Sequence, residues 1–113
     1  MQFEDLPPMH ETEIESAISR NDPFELARVV VSIGLHSEDR DWAEKLCIRL
    51  STHTDEHVRG NAILAFGHLA RRFGQLNTAV IKPIVTGALH DPSAFVRGQA
   101  SAAIDDLGFC PRC

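Results

Sequence analysis

Val58-Arg59-Gly60-Asn61-Ala62 and Val96-Arg97-Gly98-Gln99-Ala100 are two versions of one pattern, placed 38 residues apart. The same offset relates further apolar or small residues on both sides of this stretch. It carries Ala65, Phe66 and Leu69 onto Ala103, Ile104 and Leu107, and it carries Trp42, Ala43, Leu46, Cys47 and Leu50 onto Val80, Ile81, Ile84, Val85 and Ala88. Agreement at so many positions in a chain of 113 residues indicates an internal duplication, which is typical of repeat proteins.

Within each copy the apolar residues recur with the spacing of an α-helix. Positions 58, 62, 65, 66, 69 and 73 form one stripe with a period of 3.6 residues, and positions 42, 46 and 50 form the stripe of the preceding helix. The sequence shows no sustained alternation of apolar and polar residues, so we expect no strands. It predicts an all-α fold with helices near residues 11–20, 23–36, 39–52, 55–72, 78–89 and 92–107.

Short sequence signals mark the ends of these helices. Asp22-Pro23 and Asp91-Pro92 each predict an N-cap carboxylate followed by proline at the first helical position, and Glu25 is placed to complete a capping box. Gly74 is expected to end one helix in the left-handed conformation, and Asn77 is expected to cap the next.

Small residues are frequent in the second helix of each copy. They are Gly60, Ala62, Ala65 and Gly67, and then Gly98, Ala100, Ala102 and Ala103. A glycine inside a helix costs about 1 kcal/mol relative to alanine, so a packing reason is expected for these glycines. Small side chains let two helices approach closely, and we therefore predict tight packing along these helices. Trp42 and Cys47 fall on the apolar stripe and are predicted to pack in the core.

The second copy resembles the repeats of the HEAT family, two-helix units that stack into a right-handed superhelix. The features that carry the resemblance are Pro83 inside the first helix, the Asp91-Pro92 turn, the Val96-Arg97 pair and Ala100. The first copy keeps Val58-Arg59, Ala62 and Leu69 but has His53-Thr54 at the turn and lacks the proline. The resemblance implies a short α-solenoid of about three two-helix HEAT-like repeats, the first of them a degenerate repeat over residues 11–36.

This resemblance also implies a domain organisation and a structural role for three charged residues. Residues 1–10 would be an N-terminal arm, residues 11–108 a single helical repeat domain, and residues 109–113 a C-terminal tail. The acidic N-terminal segment and Phe109-Cys110 are candidates to cover the ends of the stack, because each repeat buries its apolar surface only against neighbours. Asp91, Arg59 and Arg97 are expected to bond between neighbouring repeats rather than to a ligand.

The sequence carries no arrangement typical of a metal site or an enzyme. His57 and His68 are eleven residues apart, which is too far along a helix for two ligands of one metal. Some HEAT-repeat proteins are di-iron hydroxylases with a His-Glu pair directly after Val-Arg, but Gly60-Asn61 and Gly98-Gln99 stand at those positions. Glycine-rich phosphate loops and nucleophile elbows are also missing. We expect no enzymatic activity, no cofactor and no metal.

Cysteine usage and hydropathy favour a cytoplasmic protein. Three cysteines do not suggest a disulfide framework, and Cys110-Pro111-Arg112-Cys113 offers half of a zinc site without a second pair. No apolar run approaches the roughly 20 residues needed to span a bilayer, so no membrane partner is expected. The sequence begins with the acidic stretch 1–5, which lacks the basic and apolar regions of a secretory signal.

Charge is distributed unevenly along the chain. Residues 1–56 hold 13 carboxylates against five basic side chains, a net charge of −8, whereas residues 57–113 carry a net charge of +3. The overall charge of −5 argues against a nucleic-acid partner, which would require clustered lysine and arginine. The acidic half can instead steer a basic protein toward it, although a solvated helix surface would have the same composition.

These observations favour a non-catalytic protein-binding module. A small, acidic, HEAT-like stack resembles some immunity proteins of bacterial toxin systems, including contact-dependent growth inhibition, which are stoichiometric inhibitors of often basic nuclease domains. That resemblance implies a monomer or a 1:1 complex with a basic toxin domain. The alternatives are a HEAT-like adaptor or assembly factor, such as the partners of chromophore lyases, and a HEAT-like DNA-repair protein with a basic concave face. The residues predicted to bind the partner are Glu11, Glu13, Glu15, Glu56, Gly60, Asn61, Leu64, His68, Gln99 and Asp106.

Overall fold

Six helices follow one another in the computed structural model, which describes residues 8–108. They are α1 (Glu11–Arg20), α2 (Pro23–His36), α3 (Arg40–Leu50), α4 (Glu56–Phe73), α5 (Thr78–Ala88) and α6 (Ala94–Leu107). Residues 8–108 contain no strand, and every helix begins and ends within two residues of its predicted position. The predicted all-α fold is confirmed.

The helices pair into three hairpins that stack side by side. Helices α1 and α2 form the first hairpin, α3 and α4 the second, and α5 and α6 the third. The second helices of the hairpins make one layer, in which α4 lies centrally and packs most extensively against α6 and α2. Val58, Phe66 and Leu69, on the predicted stripe of α4, are completely buried. The arrangement is a short α-solenoid of three two-helix repeats, the number that the family resemblance implied.

Small residues allow close contact inside the second-helix layer. A Cβ atom placed on Gly34 would lie 3.1 Å from the Cβ of Ala65, and one placed on Gly67 would lie 3.4 Å from the Cα of Ala103. The predicted close approach is therefore confirmed between α2 and α4 and between α4 and α6. It is wrong at Gly98, which has no neighbour within 4 Å because no helix of residues 8–108 packs on the outer side of α6.

Two of the predicted helix caps form as expected. Asp22 accepts a hydrogen bond of 3.0 Å from the backbone N–H of Phe24, and Gly74 ends α4 with φ of +81°. The predicted capping box at Glu25 is wrong. The Glu25 carboxylate instead accepts hydrogen bonds of 2.9 and 2.6 Å from Arg20, because a bidentate guanidinium is a stronger donor than a backbone amide.

The predicted caps of α5 and α6 also differ. Asn77 occupies the N-cap position of α5, but its side chain makes no capping hydrogen bond. Ser93 rather than Asp91 caps α6, with its hydroxyl accepting from the N–H of Val96 at 3.3 Å. Asp91 lies two residues before this N-cap, and its carboxylate accepts a hydrogen bond of 2.9 Å from the N–H of Ser93 and two from an arginine of the preceding repeat.

That arginine is Arg59, which joins the second repeat to the third. Its Nε and Nη2 donate to the two carboxylate oxygens of Asp91, both at 2.9 Å, and its Nη1 donates to the carbonyls of His53 and Thr54 at 3.1 Å. The two side chains are only 19% and 13% exposed. The guanidinium lowers the pKa of the Asp91 carboxyl from its ordinary value of 3.8, mainly through the direct hydrogen bonds. The expected bond between neighbouring repeats is confirmed for Arg59 and Asp91, but it is wrong for Arg97, whose side chain donates to carbonyls of its own repeat.

The same contact recurs one repeat earlier with uncharged residues. Asn21 and His53 stand 38 residues before Arg59 and Asp91, and the Nε2 of His53 lies 2.8 Å from the Oδ1 of Asn21. Because the Nδ1 of His53 accepts from the N–H of Asp55, Nε2 carries the ring proton and donates. Arg97 repeats the carbonyl contacts of Arg59, donating to Asp91 and Pro92 at 2.8 and 3.1 Å. The duplication in sequence is therefore also a repetition of junctions.

Replacing Asp91 by asparagine tests the strength of the charged junction. Asp91→Asn keeps an acceptor for the N–H of Ser93 but leaves Arg59 without a counter-charge in a largely buried position. We expect a loss of about 2 kcal/mol in the free energy of unfolding at neutral pH, measured by urea denaturation. The contribution is present above the ordinary aspartate pKa of 3.8 and is lost as the pH falls through the lower pKa of the folded state.

Asp41→Asn is the matched control, because the Arg40–Asp41 pair of 3.1 Å lies at the surface with Asp41 75% exposed. Exposed pairs contribute little to stability, so this variant should unfold like the parent protein. Equal stability of both variants and the parent would contradict the role given to the Arg59–Asp91 pair.

Candidate functional site

Two adjoining grooves open where the second helices begin. The first, of about 550 Å³, lies between α1 and α2 and is lined in part by Met9, Glu13 and Val29. The second, of about 640 Å³, crosses α2, α4 and α6, and its lining includes Ala27, His57, Asn61, Phe95 and Gln99. Phe24 and Arg28 line both grooves. We name the second one the Phe24–Phe95 groove after the rings that flank it.

Three rings form a row along the Phe24–Phe95 groove. Phe24, His57 and Phe95 are each the second residue of their helix, so the stacking of the repeats brings them into line. The rings of His57 and Phe95 have centroids 4.8 Å apart at an angle of 51°. Phe24 is 88% exposed and Phe95 is 36% exposed. Exposed aromatic side chains around an apolar groove are typical of protein-binding surfaces.

Buried amides hold the base of this groove together. The Nδ2 of Asn61 donates to the carbonyl of Ala27 at 3.0 Å, and its Oδ1 accepts from the Nε2 of Gln99 at 3.0 Å. Asn61 is only 4% exposed. One side chain of α4 thus connects α2 to α6 directly beneath the row of rings, which fixes the spacing of the groove walls.

Gly60 explains how the Phe95 ring fits against α4. A Cβ atom at position 60 would lie 2.7 Å from Cε2 of Phe95, which is closer than real carbon atoms approach. Gly60 is itself buried beneath that ring. Its structural role is therefore to admit Phe95, and any effect of Gly60 on a partner would pass through the ring.

The structure brings together three of the residues predicted to bind a partner. Glu13 lines the first groove, and Asn61 and Gln99 line the second. Glu56 is exposed beside the second groove, where its carboxylate accepts a hydrogen bond of 2.8 Å from the Ser93 hydroxyl. These residues lie on one continuous face because Phe24 and Arg28 are shared by both grooves.

The other predicted residues lie elsewhere. Glu11 borders a separate cavity with Trp42, and Glu15 is exposed on α1. Leu64 and His68 are partly buried within α4, and burial together with Arg71 lowers the pKa of His68 from its ordinary value of 6.5. Asp106 lies 3.5 Å from Arg71 in an ion pair at the other end of the layer. Their contact with a partner stays a prediction.

Phe24, Phe95 and Arg28 were missed by the sequence reasoning. A signal for Phe95 was present, because the 38-residue offset pairs it with His57 and both lie off the apolar stripe. Phe24 follows Asp22-Pro23 at the very start of a helix and has no comparable signal. Trp42, by contrast, is partly buried against the core, as its position on the stripe predicted.

Residues 8–108 contain no group of three or more histidine, cysteine or acidic side chains placed to hold a metal ion. Cys47 is completely buried, and burial, reinforced by Glu44, raises the pKa of its thiol to about 12. Cys110 and Cys113 lie outside the described residues. No helix within residues 8–108 combines the length and hydrophobicity required to cross a bilayer.

The variants Gly60→Ala and Gly98→Ala test the contact between Gly60 and the ring of Phe95. Both glycines are the fifth residue of their helix, but only Gly60 touches a ring. Gly98→Ala should raise the free energy of unfolding by about 1 kcal/mol, since alanine is the better helix former. Gly60→Ala should gain little or nothing, because the new methyl group displaces Phe95. Thermal denaturation measures both, and an equal gain in the two variants would contradict the contact.

Thiol labelling tests the burial of Cys47. In a Cys110→Ser, Cys113→Ser variant, Ellman's reagent should leave Cys47 unmodified at pH 8, because its pKa near 12 leaves almost no thiolate and its side chain is enclosed. Addition of urea above the unfolding midpoint should release one reactive thiol per chain. Rapid labelling of the native protein would show that this part of the core opens readily.

Comparison with known proteins adds a second line of evidence. No protein-family profile and no curated protein sequence matches the chain. Among solved structures, the chain is similar to a chain in the crystal structure of the CDI complex from Cupriavidus taiwanensis LMG 19424. The TM-score is 0.80 and the identity is 25%, and the match covers 96% of this chain and 96% of the other. The likeness therefore spans all three repeats, and the structural neighbour is part of a CDI complex.

Proposed function

We propose that this protein is an immunity protein of contact-dependent growth inhibition (CDI). In this proposal it is a non-catalytic HEAT-like protein of the cytoplasm that neutralises a cognate toxin domain by binding it in a 1:1 complex. The observation that carries the proposal is the similarity to a chain of a CDI complex over nearly the whole length of both chains.

The surface formed by the two grooves supports a binding role. Two adjoining grooves with an exposed phenylalanine between them present apolar surface that water solvates poorly, and a protein partner would cover it. We place the centre of the toxin interface at these grooves, with Glu13, Asn61 and Gln99 inside it and Glu56 at its margin. Inhibition then requires only that the bound immunity protein blocks the active site of the toxin or the path of its substrate.

Charge supports a basic partner. Glu11, Glu13 and Glu15 are all exposed on α1, in the half of the chain with a net charge of −8. Such a surface increases the rate at which a basic toxin domain associates, and the increase falls as salt screens the charges. Fast association suits an inhibitor that must capture its toxin before the toxin reaches its substrate.

Co-expression with a candidate toxin tests the proposal. The candidate is the toxin domain encoded beside this protein in its genome of origin. This chain should restore growth to bacteria that express the domain, and the two should co-elute as a 1:1 complex in size-exclusion chromatography. A toxin domain from an unrelated system is the control and should remain toxic. Failure to bind or to protect, or stoichiometric co-purification with a non-toxic protein, would favour an adaptor or assembly factor instead.

Charge reversal tests the electrostatic part. Glu11→Lys, Glu13→Lys, Glu15→Lys should slow association roughly tenfold at low salt and reduce its salt dependence, as measured by stopped-flow fluorescence. A matched variant, Glu38→Lys, Asp41→Lys, Asp105→Lys, changes the net charge equally on other exposed surfaces. Similar kinetics for both variants would show that overall charge, and not the α1 surface, governs association.

A further inference from the structure

We propose that the Phe24–Phe95 groove is the apolar centre of the interface, and that it accepts an apolar side chain which the partner presents among lysine and arginine residues. This inference rests on the proposed function in its choice of a toxin as the partner. It deepens that function by naming which of the two grooves forms the apolar centre and the chemistry of the side chain that enters it.

The first argument is the exposure of Phe24. This side chain is 88% exposed, although it lies in a helix whose other large apolar residues are mostly buried. It contributes nothing to the core and leaves a hydrophobic ring in water between two grooves. Large aromatic residues at the centre of an interface commonly account for much of the binding free energy, because a partner removes their surface from water.

The second argument is that the opposite wall of the groove is already held in place. Phe95 sits over Gly60 and beside the ring of His57, and Gln99, one turn further along α6, is bonded to Asn61. A wall fixed in this way loses little conformational entropy when a partner binds. The groove is therefore a preformed slot with one ordered wall at Phe95 and one exposed wall at Phe24.

The third argument is the charge around the slot. Glu13 and Asp55 line the two grooves, and neither has a lysine or arginine within ion-pair distance among residues 8–108. Glu56 adjoins Asp55, whereas Glu25 is neutralised by Arg20. Arg28 is the guanidinium that lines both grooves. Asp55 also caps α4 and lies 3.8 Å from the Nδ1 of His57, but three carboxylates against the one arginine leave the margin of the grooves with an excess of acidic side chains. This excess favours a partner whose apolar side chain is surrounded by positive charge.

Substitution of Phe24 tests the apolar centre. With the purified toxin domain, Phe24→Ala should raise Kd roughly 30-fold, chiefly through faster dissociation, because truncation of a central aromatic anchor typically has an effect of this size. Val80→Ala is the matched control, since Val80 is 41% exposed on α5 in the other layer, and it should bind like the parent. Circular dichroism should show that both variants fold. An unchanged Kd for Phe24→Ala would overturn the inference.

Two charge-neutralising variants test the sign of the partner. Glu13→Gln removes a carboxylate while retaining an acceptor at the third position of α1, and it should slow association several-fold. Arg28→Gln should instead speed association, because it removes the positive charge from the groove. The reverse signs would show that an acidic partner binds and would overturn the proposed chemistry. Loss of a stable dimer in Phe24→Ala without any toxin would show that a second copy of this chain occupies the groove.

A peptide probe separates this inference from the proposed function. A helical leucine–lysine peptide should shift the backbone amide signals of Phe24, Ala27 and Phe95 in NMR spectra, and Phe24→Ala should abolish the shifts. A leucine–glutamate peptide of equal length should not. If the toxin fails to bind but the peptides behave as expected, the proposed function fails and the inference stands. If the toxin binds but neither or both peptides shift these signals, the inference fails and the function stands.

Discussion

The ion pair between Arg59 and Asp91 is the contact on which the candidate site depends. Arg59 binds the carboxylate of the third repeat and two carbonyls of its own preceding turn, so one guanidinium holds the starts of α4 and α6 at a fixed separation. The rings of His57 and Phe95 are attached to those two helix starts. The pair is largely shielded from water and bidentate, and together with the Asn61–Gln99 hydrogen bond it connects the two helices whose rings lie 4.8 Å apart. The walls of the candidate site are thus connected by a junction that does not itself line the grooves.

The junction between the first and second repeats has the same position in the repeat but a different strength. Asn21 and His53 make a neutral hydrogen bond where Arg59 and Asp91 make two charged ones. Neutral hydrogen bonds are roughly half as strong as charge-assisted ones, so the start of α2 is held less firmly than the start of α6. The hydrogen bond from Asn61 to the carbonyl of Ala27 adds a second contact between the first and second repeats, further along α2. Phe24 therefore lies near the neutral junction, where the exposed Arg20–Glu25 pair also holds the start of α2, and Phe95 lies near the charged one.

Helix positions and stacking could be predicted from the sequence because both follow from apolar spacing, which is local and repeats every 38 residues. The caps at Glu25 and Asp91 could not be predicted, because Arg20 and Arg59 bind those carboxylates and α6 begins two residues later than the Asp91-Pro92 signal indicates. Gly60 and Asn61 show why the site prediction was incomplete. Both lie off the apolar stripe and were predicted to contact the partner, but α4 has a neighbour on both sides within its layer, and both residues are buried. A single stripe describes a helix with one neighbour, whereas the central helix of a stack needs three contact faces.

The position of the rings shows how the regularity of a repeat fold produces a row of exposed side chains. Each second helix begins at the same edge of the layer. The residues at the second position of these helices therefore lie in a row, and the distance between neighbouring helices sets their spacing. In this chain the row is phenylalanine, histidine and phenylalanine, and Gly60 clears the space that the last ring needs. Gly98 occupies the corresponding position on α6 but faces open space, which indicates that the glycine belongs to the repeat pattern itself. The glycine at this position makes a close contact at Gly60, where the following repeat places Phe95 against it, and none at Gly98. The residues of this row and the core residues lie on different faces of the same helices. The chemistry of the row can therefore change from one repeat to the next while the packing of the helices stays unchanged.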